Sequence, residues 1–292
     1  MENLSRHHKP VLLKEVLDFI PKDCRLVVDC TLWHGWHSLA IINLIWKDVK
    51  VIWIDIDKKM LDKAEWILNE KNVVFVHWSY GDIDKILKKN LEEKADFILV
   101  DLWVNLEHFK DWERGFSIKW DWNLDMRFDQ NNTQSAYDII NKYWKQELKN
   151  IFENYAEFTE KKALEIADKI IFIRNKKSIK TTQEFKSILN ELWLGDKACA
   201  VIFQALRIQV NHELENLEIL LDKIPLILNP WWRVCVISYH SLEDRIVKNK
   251  FNELSQSWKF NLLTKKVIKP NYLEVKLNKA ARSAKMRIIQ KN

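Results

Sequence analysis

Short apolar runs rich in β-branched residues alternate with helical patterns along the first hundred residues. The strand candidates are residues 25–29, 50–55, 73–77 and 96–101. Helical patterns near 37–46 and 58–70 separate the first three, and this alternation predicts a parallel sheet covered by helices. Ligands bind at the carboxyl ends of the strands in such sheets. Three strand candidates end in aspartate, so Asp29, Asp55 and Asp101 mark a candidate site.

The pattern changes after the fourth strand candidate. The expected elements from there on are helices at 134–152, 158–175, 181–193 and 206–221, a buried strand at 233–238, and weaker strands near 262–268 and 284–289 that form an edge hairpin. We interpret residues 107–206 as an inserted helical domain for substrate recognition. Residues 1–106 and 207–292 then form one discontinuous α/β domain.

The charge of the chain is unevenly distributed. Residues 245–292 hold 13 basic and 2 acidic side chains, whereas the whole chain has a net charge of only +6. A basic C-terminal segment on a chain that is otherwise mildly acidic favours a polyanionic partner. An equally weighted alternative is that these side chains only form a solvated lysine-rich face. No apolar run approaches a membrane span, and the start does not resemble a signal peptide, so we expect a cytoplasmic protein without a membrane partner.

The residue types at the strand ends favour a nucleoside-like ligand. Asp55 lies about 25 residues beyond the first loop, a spacing that suits a carboxylate holding ribose hydroxyls. The alternative is that such aspartates only cap the following helices. The first loop, residues 29–38, has a single glycine, Gly35, and therefore fails the glycine-rich fingerprint of nucleotide-binding loops. The four scattered cysteines indicate neither a disulfide framework nor a metal site.

Eight blocks in one order resemble a known family. They are HHKPVLLKEVL (7–17), DCTLWHGWHS (29–38), DLWVN (101–105), RGFS (114–117), LDMRFD (124–129), FQALRIQVNHELE (203–215), ISYHSLEDRIVK (237–248) and AARSAKMR (280–287). This set resembles the RsmH, or MraW, family of 16S rRNA (cytosine-N4)-methyltransferases. The resemblance implies a class I methyltransferase fold, a Rossmann-like, mostly parallel seven-stranded sheet with an inserted helical domain. It also implies S-adenosylmethionine as cofactor and 16S rRNA of the small ribosomal subunit as partner.

The resemblance also assigns the cofactor-binding residues. They are Gly35, Trp36, His37, Asp55, Tyr80, Asp101 and His108. In this assignment Asp55 holds the ribose hydroxyls and Tyr80 stacks on adenine, with a half-buried loop aromatic as the alternative for Tyr80. His108 stands where the family has glutamine.

Methyl transfer to an exocyclic amine needs in-line placement and an acceptor for the amine protons. Asp101 is the candidate catalytic acceptor, with positioning of the cofactor as the equal alternative. Candidate RNA contacts are Arg114, Arg127, His240, Arg245, Arg282, Lys285 and Arg287. For the ISYHSLEDR block, internal ion pairs that lock the loop are the alternative. The target cytosine is expected to be unpaired.

Glycine is rare in this chain and tryptophan is abundant. Average glycine usage of about 7% predicts roughly 20 glycines, whereas the chain has 4 glycines and 15 tryptophans. Nine tryptophans stand where the family has glycine: Trp33, Trp36, Trp46, Trp53, Trp78, Trp103, Trp122, Trp231 and Trp232. We hypothesise that the source lineage reads UGA as glycine and that these positions are glycine in the native protein. Among the other six, Trp66, Trp112, Trp144, Trp193 and Trp258 cannot be assigned.

Three alternatives remain open at this point. The chain could be a paralogue with a blocked pocket, a dinucleotide-dependent oxidoreductase on a similar sheet, or a non-catalytic RNA-binding assembly factor. The sequence leaves the oligomeric state open, with a homodimer as one option.

Overall fold

The computed structural model describes residues 10–32, 35–45, 49–67, 72–102, 104, 108–109 and 111–292. It contains two compact units. One comprises Met1–Trp103 and Leu214–Asn292, and the other comprises Val104–Glu213. The assignment of residues 107–206 to substrate recognition stays a prediction.

The first unit is built on one sheet. Its strands are β1 (Leu26–Asp29), β2 (Lys50–Asp55), β3 (Val73–His77), β4 (Ala95–Asp101), β5 (Leu228–Ser238), β6 (Phe260–Leu262) and β7 (Lys285–Lys291). In the described part of this unit the seven strands have the order β3-β2-β1-β4-β5-β7-β6. The first five are parallel to one another, and β7 pairs antiparallel with both β5 and β6. The predicted Rossmann-like, mostly parallel seven-stranded sheet is confirmed.

Helices connect the strands and form the second unit. Within the described ranges they are α1 (Leu13–Phe19), α2 (Trp36–Ile45), α3 (Lys58–Ile67), α4 (Ile83–Lys89), α5 (Ala136–Lys142), α6 (Lys145–Asn154), α7 (Glu160–Arg174), α8 (Thr182–Asn190), α9 (Asp196–Asn211), α10 (Glu213–Ile227), α11 (Ser241–Gln256) and α12 (Tyr272–Leu277). None of those described combines the length and the apolar character that crossing a bilayer requires.

Both faces of the sheet are covered by apolar side chains. Val27 and Val51 belong to one buried cluster, and their neighbours Val28 and Ile52 belong to another. Because successive side chains of a strand point to opposite faces, this alternation places one cluster on each side. β1 and β4 are accordingly buried along their whole length. Such double burial is typical of parallel strands with helices on both faces.

The second unit is helical and has its own apolar core. Ala163, Ile166, Ala167 and Ile170 form one buried stripe of α7 at helical spacing, and they belong to that core. Where the sequence predicted one helix at 134–152, the structure has α5 and α6. Tyr143 and the following residue are extended between them, and the Glu147 carboxylate accepts from the Trp144 amide at 2.7 Å, which caps α6.

The predicted helix at 206–221 is also two helices. His212 has a left-handed backbone, with φ of 51°, and separates α9 from α10. Apolar periodicity continues through this break, so the sequence pattern did not reveal it. Of the hairpin predicted near 262–268 and 284–289, the second strand is β7. The first strand is wrong in its bounds, because β6 pairs antiparallel with β7 but ends at Leu262, and Ile268 forms only an isolated bridge with Met286. Four helices, α1, α4, α11 and α12, were not among the expected elements.

Candidate active site

The carboxyl edge of the sheet has a recess above β1. Asp29, the last residue of β1, lies level with Trp53 of β2 and Leu99 of β4. β2 and β4 therefore each extend two residues further, to Asp55 and Asp101, which is about 7 Å at 3.3 Å per residue. Two interstrand spacings separate β2 from β4, or roughly 10 Å. The recess is this step at the end of β1, and it has a carboxylate at each side.

The turn that follows β1 is fixed by backbone hydrogen bonds. Gly35 N–H donates to the Leu32 carbonyl at 2.6 Å, and the Gly35 carbonyl accepts from Leu39 at 2.7 Å, which starts α2. Gly35 has φ of 67°, a left-handed conformation that favours glycine. The Thr31 hydroxyl oxygen accepts from the Asp101 amide at 2.7 Å and ties the turn to β4. The N-terminus of α2 thus starts at the recess, where its amides favour negative or polar ligand groups.

Asp29 has a structural role in this turn. Its carboxylate accepts from the Thr31 amide at 3.2 Å and from the Ser38 hydroxyl at 2.5 Å, and the residue is buried. Burial raises the pKa of Asp29 to about 6, although the Ser38 hydrogen bond opposes that shift. These contacts support a structural role for Asp29, although neither is a cap on a backbone amide of α2.

Asp55 occupies the other end of the recess. The half-buried side chain accepts from the Asp57 amide through Oδ1 at 2.8 Å. Asp57 in turn accepts from the Lys59 amide at 2.9 Å and holds the start of α3. The Asp55 carboxylate is thus oriented by the backbone at the strand end, as a residue that holds ribose hydroxyls requires.

Tyr80 lies in the turn after β3. This turn, Tyr80–Asp82, is a 3₁₀ helix whose cap is Ser79, which accepts from the Gly81 amide at 3.2 Å. The Ser79 hydroxyl donates to Asn216 of α10 at 3.0 Å, and Lys223 of α10 donates to the Gly81 carbonyl at 2.6 Å. Tyr80 is half-buried against the core. Both readings of Tyr80, adenine stacking and loop packing, are compatible with this position.

Asp101 belongs to a buried polar group that the sequence analysis did not recognise in full. The Tyr239 hydroxyl donates to Asp101 Oδ1 at 2.8 Å, and His37 Nδ1 lies 3.6 Å from Asp101 Oδ2. Tyr239 follows β5, where Ile237 is level with Asp101. Two features of the sequence could have identified Tyr239. It belongs to the ISYHSLEDR block, and it lies two residues after Ile237, which is level with Asp101.

His108 belongs to the second unit. It is buried and packs against Phe116 and Phe128, with ring centroids 5.4 and 5.1 Å away. Its contact with the cofactor stays a prediction.

The two arginines proposed as RNA contacts in the second unit are engaged in internal contacts. Arg114 is only 2% exposed and donates to the Phe128 carbonyl at 3.0 Å. Arg127 makes a two-pronged ion pair with Asp125, with its shortest contact at 2.6 Å, and donates to the Asn132 carbonyl. Both side chains organise the loop that they lie on, and a contact of either with RNA stays a prediction.

The basic tail, residues 245–292, contains basic side chains that are paired within the fold and others that are exposed. Lys285 and Arg287 of β7 both pair with Asp244 of α11, at 3.0 and 2.8 Å. Arg245 and Arg282 are exposed. Exposure makes the second pair the more suitable for phosphate contacts, whereas the first pair joins β7 to α11.

His240 caps α11. Its Nδ1 accepts from the Glu243 amide at 3.4 Å, and the Glu243 carboxylate accepts from the amides of Tyr239 and His240 at 2.7 and 3.2 Å. This reciprocal capping box fixes the loop that carries Tyr239. These contacts support the alternative in which the ISYHSLEDR block locks its own loop.

Several of the positions that we hypothesise to be recoded are described. Trp53 is fully buried in β2 beside Phe75, and among the described residues its indole N–H has no acceptor. Trp231 has φ of 70° in β5, a conformation that is an outlier for a bulky residue. Trp78 is partly exposed and donates to Asp82 at 2.9 Å.

The other recoded positions divide into two groups. Trp36, Trp122 and Trp232 are half-buried. Trp33, Trp46 and Trp103 lie outside the described residues. Trp36 is the first residue of α2, the helix that begins after the first turn.

The residues at the recess fit a nucleoside cofactor. The spacing of the carboxylates, the oriented Asp55 and the left-handed Gly35 all suit a ribose and base at this edge. The side chain at position 36 does not suit the amino-acid end of such a cofactor. Cys24, Cys30, Cys199 and Cys235 are all buried, and among the described residues no group of three or more acidic, histidine or cysteine side chains could hold a metal.

Comparisons with known proteins identify the family of this chain. Residues 5–292 match the model of the MraW methylase family. The ribosomal RNA small subunit methyltransferase H of Brachyspira hyodysenteriae is 40% identical over 303 residues, which cover 99% of this chain and 98% of that protein. The proteins of the same name from Elusimicrobium minutum and Dictyoglomus turgidum are 39% and 38% identical, covering 97% and 99% of this chain and 98% of each relative. On this evidence the chain belongs to the MraW methylase family.

Proposed function

We propose that this protein is a methyltransferase that uses S-adenosylmethionine to methylate the N4 amine of a cytosine in 16S rRNA. Family membership and the names of the three relatives support the reaction class and the RNA. The single structural observation that carries the proposal is the recess above β1, with Asp55 and Asp101 at its two sides. We expect the protein to act in the cytoplasm.

The cofactor is held by residues of three strand ends in this proposal. Gly35, with positions 36 and 37, supplies backbone amides at the start of α2. Asp55 accepts from the ribose hydroxyls, and Tyr80 stacks on the adenine. Asp101 lies at the far side of the recess, and a cofactor contact of His108 is part of the proposal.

S-adenosylmethionine, when bound, supplies an electrophilic methyl group on a positively charged sulfur. The cytosine amine is a weak nucleophile because its lone pair is delocalised into the ring. Asp101 therefore accepts a hydrogen bond from the N4 amine, which raises electron density on nitrogen and provides a base for the departing proton. The hydrogen bond from the Asp101 amide to Thr31 and the capped loop before α11 keep this carboxylate in place.

The RNA is attracted by the basic end of the chain. Residues 245–292 carry a net charge of +11, and phosphate contacts of such segments supply affinity that falls with salt. Arg245 and Arg282 are the exposed members of the proposed contact set. The helical domain at 107–206 recognises the surrounding rRNA, and the target cytosine is unpaired.

Ligand binding tests the proposal against its alternatives. The protein used is the glycine-restored chain, defined as the full-length chain with glycine at the nine recoded positions. Isothermal titration with S-adenosylmethionine and with NAD should give saturable binding of the first alone. Binding of NAD alone would favour the oxidoreductase. RNA binding without S-adenosylmethionine binding would favour the non-catalytic assembly factor.

The recoding hypothesis is part of the proposal because it decides whether the recess is open. A blocked pocket follows if the tryptophans are genuine. Support comes from Trp231, with its left-handed backbone, and from Trp53, with its buried indole N–H. Intact-mass and peptide mass spectrometry of the protein from its own host should find glycine at positions 36 and 53. Tryptophan at both would contradict the hypothesis.

A further inference from the structure

The Asp101 carboxylate is held on one side by Tyr239. The Tyr239 hydroxyl donates to Oδ1 at 2.8 Å, and both residues are buried. Burial first, and then the charge of Asp101, raise the pKa of Tyr239 well above its ordinary value. The phenol therefore keeps its proton and acts toward Asp101 only as a donor. Oδ1 of Asp101 thus accepts a hydrogen bond from Tyr239.

The other carboxylate oxygen faces His37. His37 Nε2 lies 2.9 Å from the Val11 carbonyl, which can only accept, so Nε2 carries the proton. Burial lowers the pKa of the imidazole, against the raising effects of the Val11 hydrogen bond and of the nearby carboxylates of Asp29 and Glu274. The neutral ring then has its lone pair on Nδ1, 3.6 Å from Asp101 Oδ2. Two acceptors face each other, and one added proton would join them.

We propose that Tyr239 and His37 are positioning residues that make Asp101 Oδ2 the proton acceptor in methyl transfer. Tyr239 fixes the carboxylate through Oδ1, and His37 Nδ1 receives the proton that Oδ2 takes from the amine. This inference rests on the proposed function and specifies how its base works. It uses a residue, Tyr239, that the sequence analysis did not assign.

The step is balanced in atoms and charge. The N4 lone pair forms a bond to the methyl carbon while the methyl–sulfur bond breaks, and that electron pair stays on sulfur. The nitrogen loses one proton, which passes to Asp101 Oδ2 and is then shared with His37 Nδ1. The proton leaves to water after the product departs, and the pair returns to its starting state.

Tyr239→Phe in the glycine-restored chain removes only the hydroxyl. We expect a single-turnover methyl-transfer rate about 10- to 100-fold lower, with the Kd for S-adenosylmethionine unchanged within about twofold. Loss of a donor to the charged carboxylate also moves the acid limb of the pH–rate profile up by about one pH unit. His37→Gln keeps a donor for Val11 but has no base, and its rate should fall by about tenfold or more at unchanged affinity. Tyr272→Phe, on an exposed tyrosine of α12, is the matched control and should change nothing.

A double variant tests whether Tyr239 acts through Asp101. Adding Tyr239→Phe to Asp101→Asn should cost no further rate, because the carboxylate that Tyr239 orients is already gone. Additive losses, or a Tyr239→Phe variant with normal rate and normal acid limb, would overturn the inference while the function stands. A loss of cofactor affinity that accounts for the whole loss of rate would overturn it as well. A glycine-restored parent chain that transfers no methyl group would overturn the proposed function itself.

Backbone conformation carries a second, independent inference about two tryptophans that the sequence left unassigned. Trp193 and Trp258 have φ of 59° and 60° and are 96% and 90% exposed. A bulky residue is rare in this conformation, and neither indole is buried in compensation. We infer that positions 193 and 258 are also glycine in the native protein.

The surroundings of Trp193 form a helix C-terminus that favours glycine. The Trp193 amide donates to the Asn190 carbonyl at 2.9 Å, and the Leu194 amide donates to the Leu189 carbonyl at 3.3 Å. This pair of bonds is the Schellman motif, whose left-handed residue is most often glycine. Trp258 lies one residue after Ser257, the cap residue of α11, which is a position where a left-handed glycine commonly ends a helix.

Single substitutions in the literal chain, defined as the chain with tryptophan at all fifteen positions, test this inference. Trp193→Gly and Trp258→Gly should each raise the thermal unfolding midpoint by about 2 °C, because glycine relieves the left-handed strain. Trp66→Gly is the matched control, since Trp66 is exposed within α3, and there glycine should lower the midpoint. Peptide mass spectrometry of the host protein should show glycine at 193 and 258. Lower midpoints for both variants, or tryptophan at both positions in the host protein, would overturn the inference.

Discussion

Arg287 of β7 donates from Nε to Oδ1 of Asp244 in α11 at 2.8 Å, and both side chains are largely buried. Lys285 donates to the second oxygen of the same carboxylate at 3.0 Å. Burial alone would raise the pKa of Asp244, but the hydrogen bonds from Arg287 and Lys285 hold it below its ordinary value. Part of the basic tail therefore stabilises the fold, and the exposed part stays available to RNA.

Arginine substitutions should separate these two roles. Arg282→Ala should weaken rRNA binding severalfold and reduce the salt slope of log K by about 1, because one phosphate contact is lost. Arg287→Ala should instead lower the free energy of unfolding by roughly 2–4 kcal/mol, since it leaves Asp244 buried without that partner. Filter binding over a salt series and urea unfolding measure the two effects. An Arg287→Ala variant with normal stability and weaker RNA binding would reverse the assignment.

Asp55 should be required for cofactor affinity. Asp55→Ala in the glycine-restored chain should raise the Kd for S-adenosylmethionine by about 10- to 100-fold, because hydrogen bonds to a charged group are worth about 1.5–3 kcal/mol. Asp62→Ala, in which an exposed partner of Lys58 is removed, is the control and should leave the Kd unchanged. Isothermal titration gives both values. Equal affinities for parent and Asp55→Ala would remove Asp55 from the site.

Asp29 should make stability depend on pH. Its pKa is raised to about 6 in the folded protein, so the folded state binds a proton more tightly than the unfolded state. Stability from this group is present below about pH 4 and is lost as pH rises through 6, by on the order of 2 kcal/mol. Asp29→Asn should flatten the difference in unfolding free energy between pH 4.5 and 7. Identical pH slopes for parent and variant would contradict this account.

The side chains at positions 33 and 36 should decide cofactor binding. The literal chain should bind S-adenosylmethionine at least about 100-fold more weakly than the chain with glycine at these two positions, because a bulky residue prevents close backbone approach. Glycine at positions 231 and 232 alone is the control and should not restore binding, since these residues lie in β5, away from the first turn. Tight binding by the literal chain would show that the recess accommodates the indoles.

Much of the sheet was predictable because its strands are short, apolar and buried on both faces. The predicted 50–55 and 73–77 are the observed β2 and β3. The helices of the second unit were harder to predict from the sequence. A helix break such as the one at His212 depends on a single left-handed residue, and the apolar stripe continues on both sides of it.

The site residues at the strand ends could be predicted from the sequence, whereas a residue of the loop after β5 could not. Asp55 and Asp101 follow from the rule that parallel strands present their carboxyl ends at one edge. Tyr239 was missed because its role depends on the register of β5 beside β4, which places Ile237 level with Asp101. Arg114 and Arg127 show the reverse case, since charge alone did not reveal that each has an internal partner.

The central claim is tested most directly by methyl transfer to purified small ribosomal subunits. The glycine-restored chain is incubated with S-adenosylmethionine labelled in the methyl group and with subunits from a strain that lacks the modification. Nucleoside mass spectrometry and fragment mapping should find one labelled N4-methylcytidine per subunit, at a single unpaired cytosine of 16S rRNA. No label in the RNA, or label only on another nucleoside, would contradict the account.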